Sequence, residues 1–166
     1  TYEPIGLATE YENHGAAAVS VLTEPTFFDG SIEHLRAVSE FVDIPVLCKD
    51  FIVSEYQLFE ACIAGADAVL LIVAALDQQM LLQLLRRVEL LGMAALVEVH
   101  DLGELERAIR AEASIVGVNN RNLRTLEVVV ETSESLIKHV PNTIVSVAES
   151  GLGDQASVLA LRDIGY

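Results

Sequence analysis

The chain has 166 residues, 52% of them hydrophobic, with a mean hydropathy of +0.42, enough to bury one substantial core and giving no reason to expect a second domain across 1–166. Lys and Arg number 10 against 25 Asp and Glu, a net charge of −15 that repels phosphate backbones and anionic headgroups and so argues against nucleic-acid or membrane-surface roles. Apolar runs such as "ADAVLLIVAAL" are too short to span a bilayer, no cationic leader is read, and Cys48 and Cys62 lack C-x-x-C or Cys/His spacing, so a reducing cytoplasm is the expected setting, without disulfides or zinc.

In chain order, the first apolar run begins near Ala17 in "NHGAAAVSVLTE", and Ser31 can then cap a helix over "SIEHLRAVSEFV". A second run begins near Val46 in "VDIPVLCKDF", followed by "EYQLFEACIA", capped by Ser54 and stopped at Gly65. A third begins near Ala68 in "AGADAVLLIVAA"; Asp77 then opens "QQMLLQLLRRVELL", whose leucine stripe reads as the sheet-facing side of a helix ending at Gly92. The fourth, near Ala94, leads into Asp101 and Glu104, a capping-box pattern ahead of "LERAIRA". The fifth and sixth begin near Ile115 and Ile144, and Asp154 opens a last helix, "QASVLALRDI", that stops at Gly165. The runs start 21 to 29 residues apart, the length of a strand plus a crossover helix, and are nearly continuously apolar, as parallel strands covered on both faces should be. The pattern predicts an α/β fold of repeating parallel βα units.

Polar residues collect where the runs end: Thr23 and Glu24, Lys49 and Asp50, Glu98 and His100, Asn119 to Arg121, Glu149 and Ser150, with only Ala74 and Ala75 after the third. The run starts show no such enrichment. The C-terminal ends of parallel strands are where α/β barrels and open α/β sheets place their sites.

Lys49 closes an apolar strand, where an ammonium can protonate a carbonyl oxygen, form a Schiff base or hold an anion; an ion pair with Asp50 or another strand-end carboxylate accounts for it equally well. Glu98, flanked by valines, is placed to act as general base or acid, or as a structural partner for Lys49. Asn119 can orient a hydroxyl or carbonyl and Arg121 can grip a carboxylate, whereas Asn120 and Asn122 read equally well as turn formers. Glu149, Ser150 and Gly151 form a turn that could bring backbone N–H groups to a phosphate ahead of a helix. Among the histidines, His14, His34 and His139 fall on helices or helix ends, and His100 is expected to support the site from behind. No metal spacing and no nucleotide-binding glycine loop is present, so neither a metal nor a cofactor is expected.

Together "AAAVSVLTEPTFFDGS", "PVLCKDFIV", "GADAVLLIVAAL", "LVEVHD", "GVNNRNL" and "VAESG" resemble indole-3-glycerol phosphate synthase, a (β/α)8 TIM-barrel family of tryptophan biosynthesis, in order and over nearly the whole chain. The resemblance implies conversion of 1-(2-carboxyphenylamino)-1-deoxyribulose 5-phosphate to indole-3-glycerol phosphate, carbon dioxide and water without a cofactor. It makes Lys49 the general acid on the substrate carbonyl, Glu98 a carboxylate for later proton transfers, and Asn119 an orienting residue. Arg121 becomes an anion-network arginine, Glu149, Ser150 and Gly151 the substrate and phosphate end, and Phe28 and Phe51 the rings around the anthranilate.

This chain carries Cys48 where many relatives have another side chain, and strand alternation points it away from Lys49 as a packed thiol. The family's first strand, with its "E-x-K-x-x-S-P-S" motif, and its eighth strand are not in the sequence. The expectation is therefore an incomplete barrel of about six parallel βα units, with little activity alone and open edges that invite self-association or a complementing chain. The alternatives are a non-catalytic βα scaffold and a phosphoribosylanthranilate isomerase-like barrel, which would place a Cys and Asp pair at its strand ends.

Overall fold

The computed structural model describes residues 3–166. Six strands appear, β1 Val19–Leu22, β2 Val46–Lys49, β3 Ala68–Ile72, β4 Ala94–Val99, β5 Ile115–Asn119 and β6 Val145–Glu149, and their order in the sheet is their order in the chain. Every recorded pairing is parallel. These are consecutive βα units of the (β/α)8 kind. Four strands begin at the expected residue; β1 begins two residues late and β6 one residue late.

Eight α-helices accompany them: α1 Pro4–Asn13, α2 Pro25–Phe28, α3 Ile32–Ser39, α4 Glu55–Ile63, α5 Gln78–Leu90, α6 Leu102–Arg110, α7 Glu131–Leu136 and α8 Gln155–Ile164. The predicted caps form for the longer helices. Ser31 Oγ accepts the Glu33 N–H at 3.1 Å, Asp77 Oδ1 the Met80 N–H at 2.8 Å, Asp101 Oδ1 the Glu104 N–H at 2.9 Å and Asp154 Oδ1 the Ser157 N–H at 2.8 Å. At α4 the Gln57 side chain reaches back to the Ser54 N–H at 3.2 Å. The α5 stripe turns Leu81, Leu84 and Val88 inward, as its periodicity predicts. Helix α2, a single turn led by Pro25, was not foreseen, and α1 and α7 were signalled only by the placing of His14 and His139 on helices or helix ends; α7 is six mostly polar residues, too short for a period to show.

By contact density the chain divides into two compact units. Among the described residues, the first holds 3–71 and 82–95. There α3 packs on β1 and β2 through Leu35 and Val38, both essentially inaccessible, and α4 contributes Leu58 and Ala61. Each such leucine withdraws enough apolar surface to contribute about 2 kcal/mol. Strands β1 and β2 alternate in burial instead of reading as continuously covered. Val46 and Cys48 point inward, while Leu47 and Lys49 take the more open face.

The second unit holds residues 72–81 and 96–166. Its strand β5 is buried along nearly its whole length, whereas β6, with only β5 recorded beside it, leaves Val145 and Val147 partly in solvent. The loop after β3 makes a 3₁₀ turn, Val73–Ala75, tied down from α6. The Arg107 guanidinium donates to the Val73 carbonyl at 3.1 Å, to the Leu76 carbonyl and to Gln78 Oε1 at 3.3 Å, and Gln78 Nε2 returns a bond to the Arg107 carbonyl at 3.2 Å. Among the described residues no helix is long and apolar enough to cross a membrane.

A planar five-donor group is what two carbonyls and an amide at this spacing require. Arg107→Lys should therefore lower stability by roughly 2 kcal/mol, the value of about one or two charge-assisted hydrogen bonds, although it keeps the charge. Urea unfolding of the two proteins measures the difference.

Candidate active site

Lys49 is the last residue of β2, in register with Leu22 at the end of β1, and is half-buried. The pleat sends Cys48 to the opposite face, where it is buried with Sγ 3.4 Å from Thr23 Oγ1. Burial pushes the Cys48 thiol pKa up, so it behaves as a packed, protonated thiol, as the sequence implied. Asp50, offered above as an ion-pair partner for Lys49, takes the Thr23 hydroxyl on Oδ2 at 2.6 Å and the Phe51 N–H on Oδ1 at 2.7 Å. Both of its oxygens thus fix the loop that follows the strand.

That loop brings the expected aromatic residues together. Phe28 stacks on Phe51 with ring centres 5.8 Å apart and planes 25° from parallel, and Phe27, which sequence reasoning missed, meets the Phe51 ring edge-on at 6.2 Å. Phe27 and Phe28 are presented by α2, whose N–H groups at Thr26 and Phe27 are both held by the Glu24 carboxylate, at 2.9 and 2.6 Å. Pro25 ahead of paired aromatics was the available signal. Phe27 is 78% exposed. A cavity of about 280 Å³ opens beside Phe28, lined by Leu22, Asp29 and Gly30.

The second unit carries the remaining predicted residues on three adjacent strands. Glu98 is in register with Gly117, Gly117 with Val147, and Asn119 with Glu149. Side chains in register on parallel strands share a face, and so do residues two apart, so Glu98, Asn119 and Glu149 lie on one face of this part of the sheet. Gly117 makes the arrangement possible. A Cβ there would overlap the Glu149 carboxylate, which occupies the space a side chain would fill.

Glu98 is 1% exposed, and a carboxylate so deeply buried requires compensation. His100 stands beside it, Nε2 lying 3.2 Å from Glu98 Oε1 in an ion-pair contact that is not an aligned hydrogen bond. On the other side Nδ1 lies 3.0 Å from Glu104 Oε2, which also accepts the His100 backbone N–H at 2.8 Å. This departs from the capping box expected at Asp101 and Glu104: Asp101 caps as predicted, but the Glu104 carboxylate goes to His100. Burial opposes protonation of His100, yet the two carboxylates outweigh it and raise its pKa from an ordinary 6.5 to about 9.

Asn119 is buried and its Oδ1 accepts the Arg121 N–H at 2.9 Å, which turns the chain sharply at the strand end. Arg121 itself is exposed, with one guanidinium nitrogen 3.4 Å from the Leu126 carbonyl and a backbone bridge to Val128. The residue between them proves to be more than a turn former. Asn120 is 2% exposed, donating from Nδ2 to the Ser150 carbonyl at 3.1 Å and accepting on Oδ1 from the Ser133 N–H at 3.0 Å and hydroxyl at 2.8 Å. It joins β5 to α7 and to the turn after β6. In that turn Ser150 and Gly151 both have left-handed backbones, φ 65° and 78°, and a Cβ on Gly151 would press into Val128. At the N-terminus of α8 the Asp154 side chain accepts the Ser157 N–H.

The family model for indole-3-glycerol phosphate synthase matches residues 1–166. The chain belongs to the indole-3-glycerol phosphate synthase family. Indole-3-glycerol phosphate synthase of Parafrankia sp. is 57% identical over 98% of this chain and 61% of its own length, and that of Kineococcus radiotolerans is 52% identical over 98% and 60%. The synthase of Chloroherpeton thalassium is 48% identical over 99% of this chain and 64% of its own length. The chain thus spans about three-fifths of the length of the curated relatives it matches. A solved N-acetylmannosamine-6-phosphate 2-epimerase from Clostridium perfringens superposes with a TM-score of 0.76 over 96% of this chain and 73% of its own, at 14% identity, a likeness of fold alone.

Two outcomes follow from this geometry. Because folding raises the His100 pKa, its contribution to stability is complete below about pH 6.5 and lost as pH rises through about 9; wild type should lose stability across that window relative to His100→Gln, read by urea unfolding at several pH values. Asn120→Asp keeps the Ser133 bonds but sets a carboxylate oxygen against the Ser150 carbonyl, and should cost roughly 2 to 3 kcal/mol in the same assay.

Proposed function

We propose that this chain carries the catalytic strand ends of an indole-3-glycerol-phosphate synthase, a carbon–carbon lyase acting on 1-(2-carboxyphenylamino)-1-deoxyribulose 5-phosphate. The observation that carries the reading is the family match over every residue, combined with the position of Lys49, Glu98 and Asn119 at the C-terminal ends of their own strands. That end is where parallel βα folds place catalysis.

In this reading the Lys49 ammonium gives a proton to the substrate ketone oxygen as the anthranilate ring carbon bonds to the carbonyl carbon. Loss of carbon dioxide leaves its electron pair to the new ring. The hydroxyl so formed takes a second proton, supplied from solvent through re-protonated Lys49, and departs as water, while Glu98 accepts the proton released as the indole forms. The side-chain amide of Asn119 orients the substrate, Phe28 and Phe51 enclose its aromatic ring, and Arg121 meets an anionic group. Glu149 acts with the Ser150–Gly151 turn at the sugar-phosphate end. No cofactor is called for, and a cytoplasmic setting suits the chemistry. The net charge of −15 does not oppose an anionic substrate, because exposed charges beyond about 8 Å are screened at physiological salt while the site cations act at contact range.

The isomerase-like alternative needs a thiol and a carboxylate facing the substrate. Cys48 and Asp50 do border one cavity of about 340 Å³, but the thiol is 2% exposed on the face opposite Lys49 and burial holds it protonated beside Thr23, which favours the lysine and glutamate chemistry. A pure scaffold is separated by titration calorimetry: a reduced substrate analogue should bind this chain, and a scaffold should not bind it.

In a completed barrel, Lys49→Ala should lower kcat by roughly two to four orders of magnitude with a smaller change in KM, the signature of a proton donor used in the transition state. Steady-state assay of both proteins measures it. Near-normal kcat in the variant would assign Lys49 to a structural ion pair.

A further inference from the structure

The site contains three acidic side chains that ordinary electrostatics would set against one another. Glu98 and Glu149 share one face of the β4–β6 region, and Glu104 reaches the same strand end from the first turn of α6. Placing like charges together in a buried position drives one of them to take up a proton. A protonated Glu98 could donate a proton but could not accept one, so its role depends on what compensates it.

His100 lies between two of the three. Its ring nitrogens lie 3.2 Å from Glu98 and 3.0 Å from Glu104, and the ring is not at liberty to turn away. Glu104 Oε2 holds both the ring and the His100 backbone N–H, and the Glu104 N–H is itself held by Asp101 Oδ1 at 2.9 Å. The helix N-terminus thereby fixes a carboxylate, the carboxylate fixes an imidazole, and the imidazole faces Glu98. The nearby cation on α6, Arg107, is directed to the Val73 and Leu76 carbonyls. The charged groups acting on His100 are Glu98 from β4 and Glu104 from α6.

We propose that His100, anchored by Glu104, is a positioning residue that stays an imidazolium and thereby holds Glu98 as a carboxylate, making Glu98 a proton acceptor and not a donor in the family reaction. The assignment rests on Glu98 acting on substrate as proposed above. It resolves a choice between general acid and general base that the position of Glu98 in an apolar strand leaves open. The high pKa of His100 agrees with it. Glu104, on the helix and away from the strand, would act only through the histidine.

The test reads protonation directly, by NMR of the chain labelled at the imidazole nitrogens of histidine and the carboxyl carbons of glutamate. In wild type His100 should remain protonated past neutral pH. In Glu104→Gln its midpoint should fall by roughly one unit or more, and in His100→Gln the Glu98 carboxyl midpoint should rise by a similar amount. Should His100→Gln fail to fold, as judged by circular dichroism, Glu104→Gln should still raise the Glu98 midpoint, because it weakens the same cation. A Glu98 titration unmoved in the folded variants, or a His100 that is neutral at pH 7 in wild type, overturns the proposal. In turnover assays of the completed barrel the acid limb of the kcat profile should move upward in His100→Gln, with plateau kcat reduced less than in Lys49→Ala. NMR shifts as expected with no turnover by any form would uphold the electrostatic assignment and overturn the activity reading, so the two failures are distinguishable.

Discussion

A carboxylate that is 1% exposed is the constraint around which the second unit is arranged. Desolvating Glu98 without compensation would cost several kcal/mol, a large fraction of the stability of a domain this size. The fold sets against it a histidine just past the end of the same strand, and it orients the histidine with a glutamate from the next helix. The backbone of β4 and the N-terminal turn of α6 are thus parts of one electrostatic device.

A second buried polar group, Asn120, does comparable work for the backbone. Its amide satisfies the Ser150 carbonyl and two Ser133 donors at once, and Tyr166 adds its hydroxyl to the Ser133 carbonyl at 3.0 Å. The turn at Ser150 and Gly151 is intrinsically unfavourable for a serine, whose φ of 65° lies in the left-handed region. Its carbonyl bond to Asn120 and the close contact of Gly151 with Val128 hold the turn in that conformation. Asn119 and Glu149, which face the site, are adjacent in sequence to the two ends of this clamp. In the first unit the same division holds at the end of β2: Asp50 and Thr23 secure the loop, while Lys49 and the Phe28–Phe51 stack are presented outward.

Much of the site was legible because parallel βα folds concentrate function at one end of each strand. Polar residues at the ends of otherwise apolar runs therefore stand out without any knowledge of contacts. Lys49, Glu98, Asn119 and Glu149 were singled out this way as candidates, and all four end or nearly end a strand. Phe27 was missed because a one-turn helix has no period to detect. Asn120 was left between two readings because an asparagine after a strand is most often a turn former; only its burial against α7 reveals a network. The Glu104 side chain was assigned to a capping box on spacing alone, and a histidine one residue before the cap drew it away.

Local chemistry written in the sequence determined the strands, the longer helices with their caps, and which residues end each strand, since these depend on periodicity and on side chains within a turn of one another. Tertiary structure alone decided which of those end residues share a face and what each one touches. Register places Glu98, Asn119 and Glu149 together over the gap at Gly117, and packing of α6 and α7 supplies the partners of His100 and Asn120. The physical reason is that burial and hydrogen bonding between residues 13 to 34 positions apart are set by how elements pack, which no local pattern encodes.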